Sequence, residues 1–290
     1  MSRVSPVRLP NPKKTAAALG SLAMLLSMAA LDTSAAAAQT ADPPAAKEED
    51  GIKGYISAGP ALLPDYVGSK YYQVYPLITA RANYGNYYIR FEDAALRLNI
   101  IDSATIHLGP LVGFQLDRGG SVDSAAVSRM RHLNFGITDG GFIEYEHVAM
   151  DPRSSERITL MVADGNINQT SGWTVTVRGG ITRPLAFIND GLIASVEADT
   201  MWGDAPFMQT YFGVTASDAA LSGLPVYRAQ SGIQGVGAAL SLDQFLSPKW
   251  GVGIRFHYMR LLNAAAHSPV TAIAGSRDQF FTAFVINYVL

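Results

Sequence analysis

The feature that most constrains this sequence is the alternation of apolar and polar residues along segment after segment of the chain. In one such segment Val252 and Ile254 fall on one face, whereas Gly253 and Arg255 fall on the other. Successive side chains of a β-strand point to opposite faces, whereas an amphipathic helix repeats about every 3.6 residues. Beyond the N-terminal region, no apolar run approaches the ~20 residues that a spanning helix needs. The sequence therefore predicts an all-β fold.

Alternation alone fits two kinds of protein: a soluble sandwich or lipocalin-like barrel with its apolar face inward, or a membrane barrel with that face outward. The polar face favours the second, because it carries many charged residues, often beside glycine, as a hydrated and crowded lumen would. The predicted lumen charge network consists of Arg81, Arg90, Glu92, Glu144, Glu146, Arg178, Glu197, Asp199, Arg255 and His257. The sequence does not show whether these charges close the lumen or line a continuous wet path.

The tryptophans and the connections also favour a membrane barrel. Trp173, Trp202 and Trp250 lie at the ends of strand-like segments with apolar parity, where an aromatic girdle would place them. Connections alternate between short and long, as in barrels with short periplasmic turns and longer external loops. We therefore predict a transmembrane antiparallel up-and-down β-barrel of about twelve strands over residues 54–290. A ten-strand count stays open because the segments near 86–101 are weak.

The N-terminal region has the three parts of a secretory signal peptide. A basic start precedes an apolar run that is too short to span a bilayer, and small residues follow up to Ala38. We predict a cleaved signal peptide over 1–38, hence Sec export in a Gram-negative bacterium. Residues 39–53 combine a Pro-Pro pair with a charge run, which predicts a flexible periplasmic leader.

Composition excludes several classes of function. A net charge of −2 and a pI near 6.2 lack the basic footprint of a nucleic-acid-binding protein. The absence of cysteine excludes disulfides and thiol chemistry. The five histidines lie in no recognisable nucleophile or metal motif. His107 and His257 have lumen parity and are expected to meet Asp117 or Glu197, as structural pairs. We therefore expect no catalytic residue, no cofactor and no bound metal.

The stretch FMQTYFGVTASDAALSGLPVY, residues 207–227, reads as a folded loop between strands. Thr215 followed by Asp218 has the spacing of a capping box, and Gly223 then ends the short helix. Aromatic residues supply apolar surface that packs against the barrel mouth. The predicted loop cap consists of Tyr211, Phe212, Thr215, Asp218 and Gly223. A lid over the mouth is the simpler interpretation, and a ligand site in the loop is the alternative.

Several segments resemble the MipA/OmpV family of outer-membrane proteins, among them GPALLPDYVGSKYYQVYPLI (59–78), GGFIEYE (140–146) and the YFGVT to SGLPVY block. The resemblance implies a barrel in the outer membrane, in contact with its lipid. It also implies a non-enzymatic scaffold that links a periplasmic lytic transglycosylase of the MltA type to a murein synthase. A narrow porin-like channel or a surface adhesin is the alternative that the family leaves open.

Overall fold

The structure is a computed structural model that describes residues 51–115, 118, 122–167 and 172–290. The predicted signal peptide (1–38) and nearly all of the predicted leader lie outside the described residues. The first strand begins at Lys53, where the apolar alternation of the sequence starts.

Twelve antiparallel strands form a closed barrel in which each strand pairs with its neighbours in sequence and the last pairs with the first. The strands are β1 (Lys53–Pro64), β2 (Tyr72–Tyr84), β3 (Tyr87–Glu92), β4 (Ala95–Asn99), β5 (Ile106–Gln115), β6 (Gly136–Val148), β7 (Ser155–Ile167), β8 (Trp173–Pro184), β9 (Leu192–Gly203), β10 (Gly232–Phe245), β11 (Trp250–Leu261) and β12 (Asp278–Val289). The twelve-stranded up-and-down barrel is confirmed. The weak segments near 86–101 form the short hairpin β3–β4, which excludes the ten-strand count.

The outside of the barrel is apolar and the inside is polar. Ile181, Val196 and Ile254 are exposed on the outer surface, whereas Arg90 and Glu144 are fully buried inside. This is the inverse of a soluble barrel, and it suits a lipid surround. Trp173 and Trp202 lie near one end of the barrel on its outer surface, and Trp250 lies near the other.

The two rims differ in the length of their connections. One rim has short turns, at 149–154, 185–191 and 246–249, and also holds both ends of the barrel. The other has longer loops, of which 65–71, 204–231 and 262–277 are fully described. Short turns mark the periplasmic rim of such barrels, so the long loops lie outside. The β3–β4 connection departs from the predicted alternation, because it is a two-residue turn on the long-loop side.

Helices in the long loops cover the outer mouth, and we call them the cap. They are α1 (Ala205–Phe212), α2 (Ala216–Ser222), α3 (Asn263–His267) and α4 (Pro269–Ala272), with a 3-10 turn at Val127–Arg129. Two buried apolar clusters hold them together, one around Met208 and Phe212 and one around Val127 and Val270. None of these helices, nor any other in the described ranges, is long and apolar enough to cross a membrane.

Of these helices, only α2 was predicted from the sequence. α1 carried a signal, because Asp204 caps it by accepting a hydrogen bond from the Phe207 N–H and Pro206 stands in its first turn. The helices α3 and α4, in the 262–277 loop, are too short to show a helical period in the sequence.

Candidate functional site

Within the described residues, two cavities are stacked along the axis of the barrel. The lower one, which we call the vestibule, has a volume of about 490 Å³ and is lined near the periplasmic rim by Tyr55, Thr182 and Val289. The upper one, the sub-cap cavity, has a volume of about 370 Å³ and lies beneath α1. His257 and Phe281 line both cavities, so they mark the boundary between them.

Glu144 on β6 is the centre of the charged lumen. Its carboxylate accepts hydrogen bonds from the Tyr88 hydroxyl (2.9 Å), the Thr159 hydroxyl (2.8 Å) and Arg90 Nη1 (3.1 Å to Oε2). The side chains of Arg90 and Glu144 are both fully buried. A buried carboxylate is stable only when its oxygens are satisfied in this way, so these contacts join the strands β3, β6 and β7 into one network.

The register of the strands explains why so many charges meet here. Arg81, Arg90 and Arg97 are direct cross-strand neighbours on β2, β3 and β4, which places three like charges in a row. Such a row is destabilising by itself. It is neutralised by glutamates: Glu144 and Glu146 approach it from β6, and Glu92 lies at the end of β3 itself. The row is therefore a structural element that depends on its carboxylates.

The remaining predicted network residues are also brought into ion pairs. Glu197 Oε1 lies 2.7 Å from Arg157 Nη2, and Arg255 Nη2 lies 2.8 Å from Asp243 Oδ1. Arg178 contacts Asp93, which reaches inward from the β3–β4 turn. The network also contains four residues that were not predicted from the sequence: Arg97, Arg157, Asp93 and Asp243. Arg97, Arg157 and Asp243 lie on the lumen parity of β4, β7 and β10, which is the signal that would have found them.

The two lumen histidines do not meet the partners that the sequence suggested. His257 Nε2 lies 2.8 Å from Asp199 Oδ1, and His107 Nε2 lies 3.6 Å from Glu146 Oε2. Asp117 is outside the described residues. The expectation of Glu197 as a partner is wrong, because Glu197 pairs with Arg157 instead. His107 meets a carboxylate of the neighbouring strand β6, and His257 meets one on β9, two strands away.

A metal ion suits this part of the lumen poorly. His107, Glu144 and Glu146 offer one ligand atom each within 4.8 Å of one another, which is a possible donor set. Both carboxylates, however, already pair with Arg90. A divalent cation placed among these atoms would face the unscreened charge of the guanidinium groups.

Hydrogen bonds at both ends hold the cap helix α2 in place. The Asp218 N–H donates to Thr215 Oγ1 (3.1 Å) and the Thr215 N–H to Asp218 Oδ2 (3.2 Å), which forms a capping box. Gly223 ends the helix with φ of 76°, a left-handed conformation that glycine adopts without strain. Burial alone would raise the pKa of Asp218, but hydrogen bonds from the Arg131 N–H and from Thr215 outweigh it and hold the pKa below its usual range.

The aromatic cap residues close the space below the helices. Phe212 is fully buried, and Tyr211 packs on Phe207 with ring centroids 4.7 Å apart. The Tyr211 hydroxyl donates to Gln115 Oε1 at the end of β5, which ties α1 to the barrel wall. Burial raises the pKa of Tyr211.

Arg118 lies at the sub-cap cavity, and sequence analysis did not single it out. Its Nη1 donates to the Tyr211 carbonyl (2.8 Å), but its Nε and Nη2 have no hydrogen-bond partner in the described part of the chain. Burial lowers the pKa of Arg118 to about 10. Arg118 stands in a loop, where no period indicates which way a side chain points.

The family model described as MltA-interacting protein MipA matches residues 56–290, which is nearly the whole described chain. The chain belongs to the MipA family. This assignment agrees with the resemblance of the 59–78 and YFGVT to SGLPVY segments noted above. Membership of the MipA family and a closed barrel with an apolar exterior make this an outer-membrane protein.

Several solved outer-membrane barrels are similar in fold to this MipA-family chain. An outer-membrane channel from Pseudomonas putida F1 has 12% identity and a TM-score of 0.44, over 87% of this chain and 100% of that chain. The KdgM porin has 7% identity and a TM-score of 0.36, over 82% and 98%. OmpT of Vibrio cholerae has 8% identity and a TM-score of 0.37, over 84% and 99%. A comparison with curated protein sequences found no match.

Proposed function

We propose that this barrel is a non-enzymatic scaffold that holds an MltA-type lytic transglycosylase, and with it a murein synthase, at the periplasmic face of the outer membrane. The description of the MipA family, which names MltA as the interacting protein, supports this role. The architecture also supports it, because the cap covers the outer mouth and leaves the periplasmic rim as the accessible end. The sequence segments outside the described residues add to this proposal: we propose that 1–38 is removed on export and that the leader 39–53 extends the contact surface.

The observation that carries the proposal is an apolar, cross-linked surface on the periplasmic turns. Met150, Phe187 and Leu246 are each largely exposed there, with Phe187 at 85%. Arg153 Nη1 in the first turn donates to the Asp190 carbonyl in the second (2.7 Å). This bond links two of the three turns, and exposed apolar residues on one rim of a protein are typical of binding sites.

Binding of a purified MltA-type lytic transglycosylase to the barrel in lipid nanodiscs tests this role. A variant with Met150→Asp, Phe187→Asp and Leu246→Asp is expected to weaken binding at least tenfold, since anchors of an interface each contribute about 2 kcal/mol or more. The matched control carries Leu221→Asp and Val226→Asp, which alter exposed apolar residues of the cap. Equal affinity of the two variants would show that the periplasmic turns do not bind this enzyme.

A narrow channel is the second candidate, and the vestibule favours it. Its volume of about 490 Å³ and its lining of charges of both signs suit small polar solutes. Such a solute would still have to pass the boundary at His257 and the aromatic residues under α1. The scaffold therefore agrees better with the packing of the outer mouth.

A further inference from the structure

The sub-cap cavity has the size and the lining of a ligand site. Its volume of about 370 Å³ lies within the ~300 to 1,000 Å³ of small-molecule pockets. Most of its lining is apolar and comes from both the barrel wall and the cap: Leu63, Met201, Phe207, Phe212, Met259 and Phe281. An alkyl chain bound in this space would not have to displace a hydrogen bond.

One buried charge faces this apolar space, and no counter-charge pairs with it among the described residues. Arg118 is 4% exposed, and none of its nitrogens lies in an ion pair within the described ranges. Its Nη1 is used by the Tyr211 carbonyl, which leaves Nε and Nη2 without partners. Buried donors of this kind are rarely left unsatisfied, so they indicate an acceptor that the described part of the chain does not supply.

The other charged groups around the cavity are already satisfied. Asp65 also lines it, but its two oxygens accept from Gln73 Nε2 and from the Asp123 N–H (2.7 Å). His257 pairs with Asp199 below the cavity. Arg118 is thus the group whose chemistry selects a ligand, and it selects an anion.

The wall of the cavity reaches the lipid-facing side of the barrel. β3 is short, so its pairing with β2 begins at Ala80 and the outer part of β2 extends beyond the β3–β4 turn. Ala94 of that turn lines the cavity, and so do Phe114 and Phe280, whose strand parity places them on the outer surface. A ligand at this position has access to the membrane, which favours an amphiphile over a water-soluble anion.

We propose that the sub-cap cavity binds a single-chain amphiphile with a carboxylate head and an alkyl tail. The Nε and Nη2 hydrogens of a guanidinium lie along one edge and match the two oxygens of a carboxylate. The head therefore sits on that edge of Arg118, and the tail lies among the phenylalanine and methionine side chains. This site is separate from the periplasmic turns and does not depend on the scaffold role.

Binding of radiolabelled dodecanoate to the full barrel in phosphatidylcholine nanodiscs tests the proposal, with dodecanol as the neutral probe of equal length. Saturable binding of dodecanoate is expected, and Arg118→Gln should weaken it about tenfold or more, because hydrogen bonds to a charged group contribute ~1.5 to 3 kcal/mol. Binding of dodecanol should be weaker and should not respond to Arg118→Gln. Arg129→Gln is the matched control, since this exposed arginine lies away from the cavity.

A second variant keeps the test valid if Arg118→Gln does not fold. Met201→Trp fills the cavity from the β9 wall and should abolish binding of both probes while the barrel stays folded, as its heat-dependent gel mobility would show. Unchanged dodecanoate affinity in Arg118→Gln, or no saturable binding to the folded wild type, would overturn the proposal. Saturable binding of two-chain phosphatidate but not of dodecanoate would overturn the single-chain assignment.

Discussion

The vestibule and the sub-cap cavity share one lumen, but they differ in whether their buried arginines are paired with carboxylates. In the lower region each arginine of the network lies within 4.0 Å of a carboxylate, and the central Arg90–Glu144 pair is fully buried. In the upper region Arg118 is buried among apolar side chains without an ion pair in the described residues. The first arrangement stabilises the barrel by itself, whereas the second is complete only with a ligand.

The difference follows from which elements supply the side chains. Strands in register place charges at fixed intervals, so a row of arginines on β2 to β4 meets glutamates on β6. Loops deliver single side chains from distant parts of the sequence, as Arg118 and Tyr211 show by meeting across the mouth. The lower lumen is therefore a property of the barrel, and the upper lumen is a property of the cap.

The largest expected effect is at the centre of the lower region. Glu144→Ala should reduce the free energy of unfolding by ~3 to 5 kcal/mol, because it removes the fully buried partner of Arg90 and leaves that guanidinium only the longer contact with Glu146 at 3.9 Å. Urea unfolding of the barrel in lipid vesicles measures this change. Glu156→Ala is the matched control, since Glu156 pairs with Arg183 at an exposed site and should cost at most ~1 kcal/mol. Similar losses in both variants would mean that the network is not a buried, closed one.

The next effect concerns the outer surface of the barrel, which faces the lipid around both regions. Ile254→Lys should cost ~2 to 4 kcal/mol if the site is near the bilayer midplane, whereas Thr176→Lys on the lumen face should be tolerated. The same vesicle unfolding assay applies. Equal tolerance of the two lysines would contradict the outward orientation of the apolar face.

A smaller and more local effect is expected in the cap. Asp218→Ala removes the capping box of α2 and the acceptor of the Arg131 N–H, which should cost about 1 to 2 kcal/mol. Hydrogen exchange at 205–224 should rise while the strands stay protected. Ser217→Ala changes an exposed residue of the same helix and should have no effect on exchange. Exchange that rises equally in the strands would show that cap and barrel are one cooperative unit.

Acidification should have the same effect as this substitution. The pKa of Asp218 is lower in the folded protein than the ordinary value near 3.9, so its contribution is present above that pH and is lost as the pH falls through the folded pKa. Exchange at 205–224 should therefore rise below about pH 4 in the wild type. Asp218→Ala should remove most of this pH dependence, and an unchanged profile in that variant would assign it to another group.

The two regions also differ in how much the sequence reveals. The two-residue period of apolar and polar residues is enough to predict the barrel, the strand count and the lumen-facing position of residues such as Glu144, because each strand shows the period locally. Pairs such as His257 with Asp199 need the strand register, which the sequence does not specify. The start of α1 could have been predicted from the sequence, because Asp204 is a typical N-cap residue. The position of Arg118 depends on how separate loops pack, so no local pattern indicates it.

Single-channel recording in planar lipid bilayers tests most directly the central claim that the cap closes the outer mouth. The refolded wild-type barrel should give no discrete conductance steps, because α1 and its aromatic residues close the upper lumen. Deletion of residues 213–224 should produce such steps by loosening the cap. Stable conductance steps from the intact wild-type barrel would contradict the claim and would favour the channel over the scaffold.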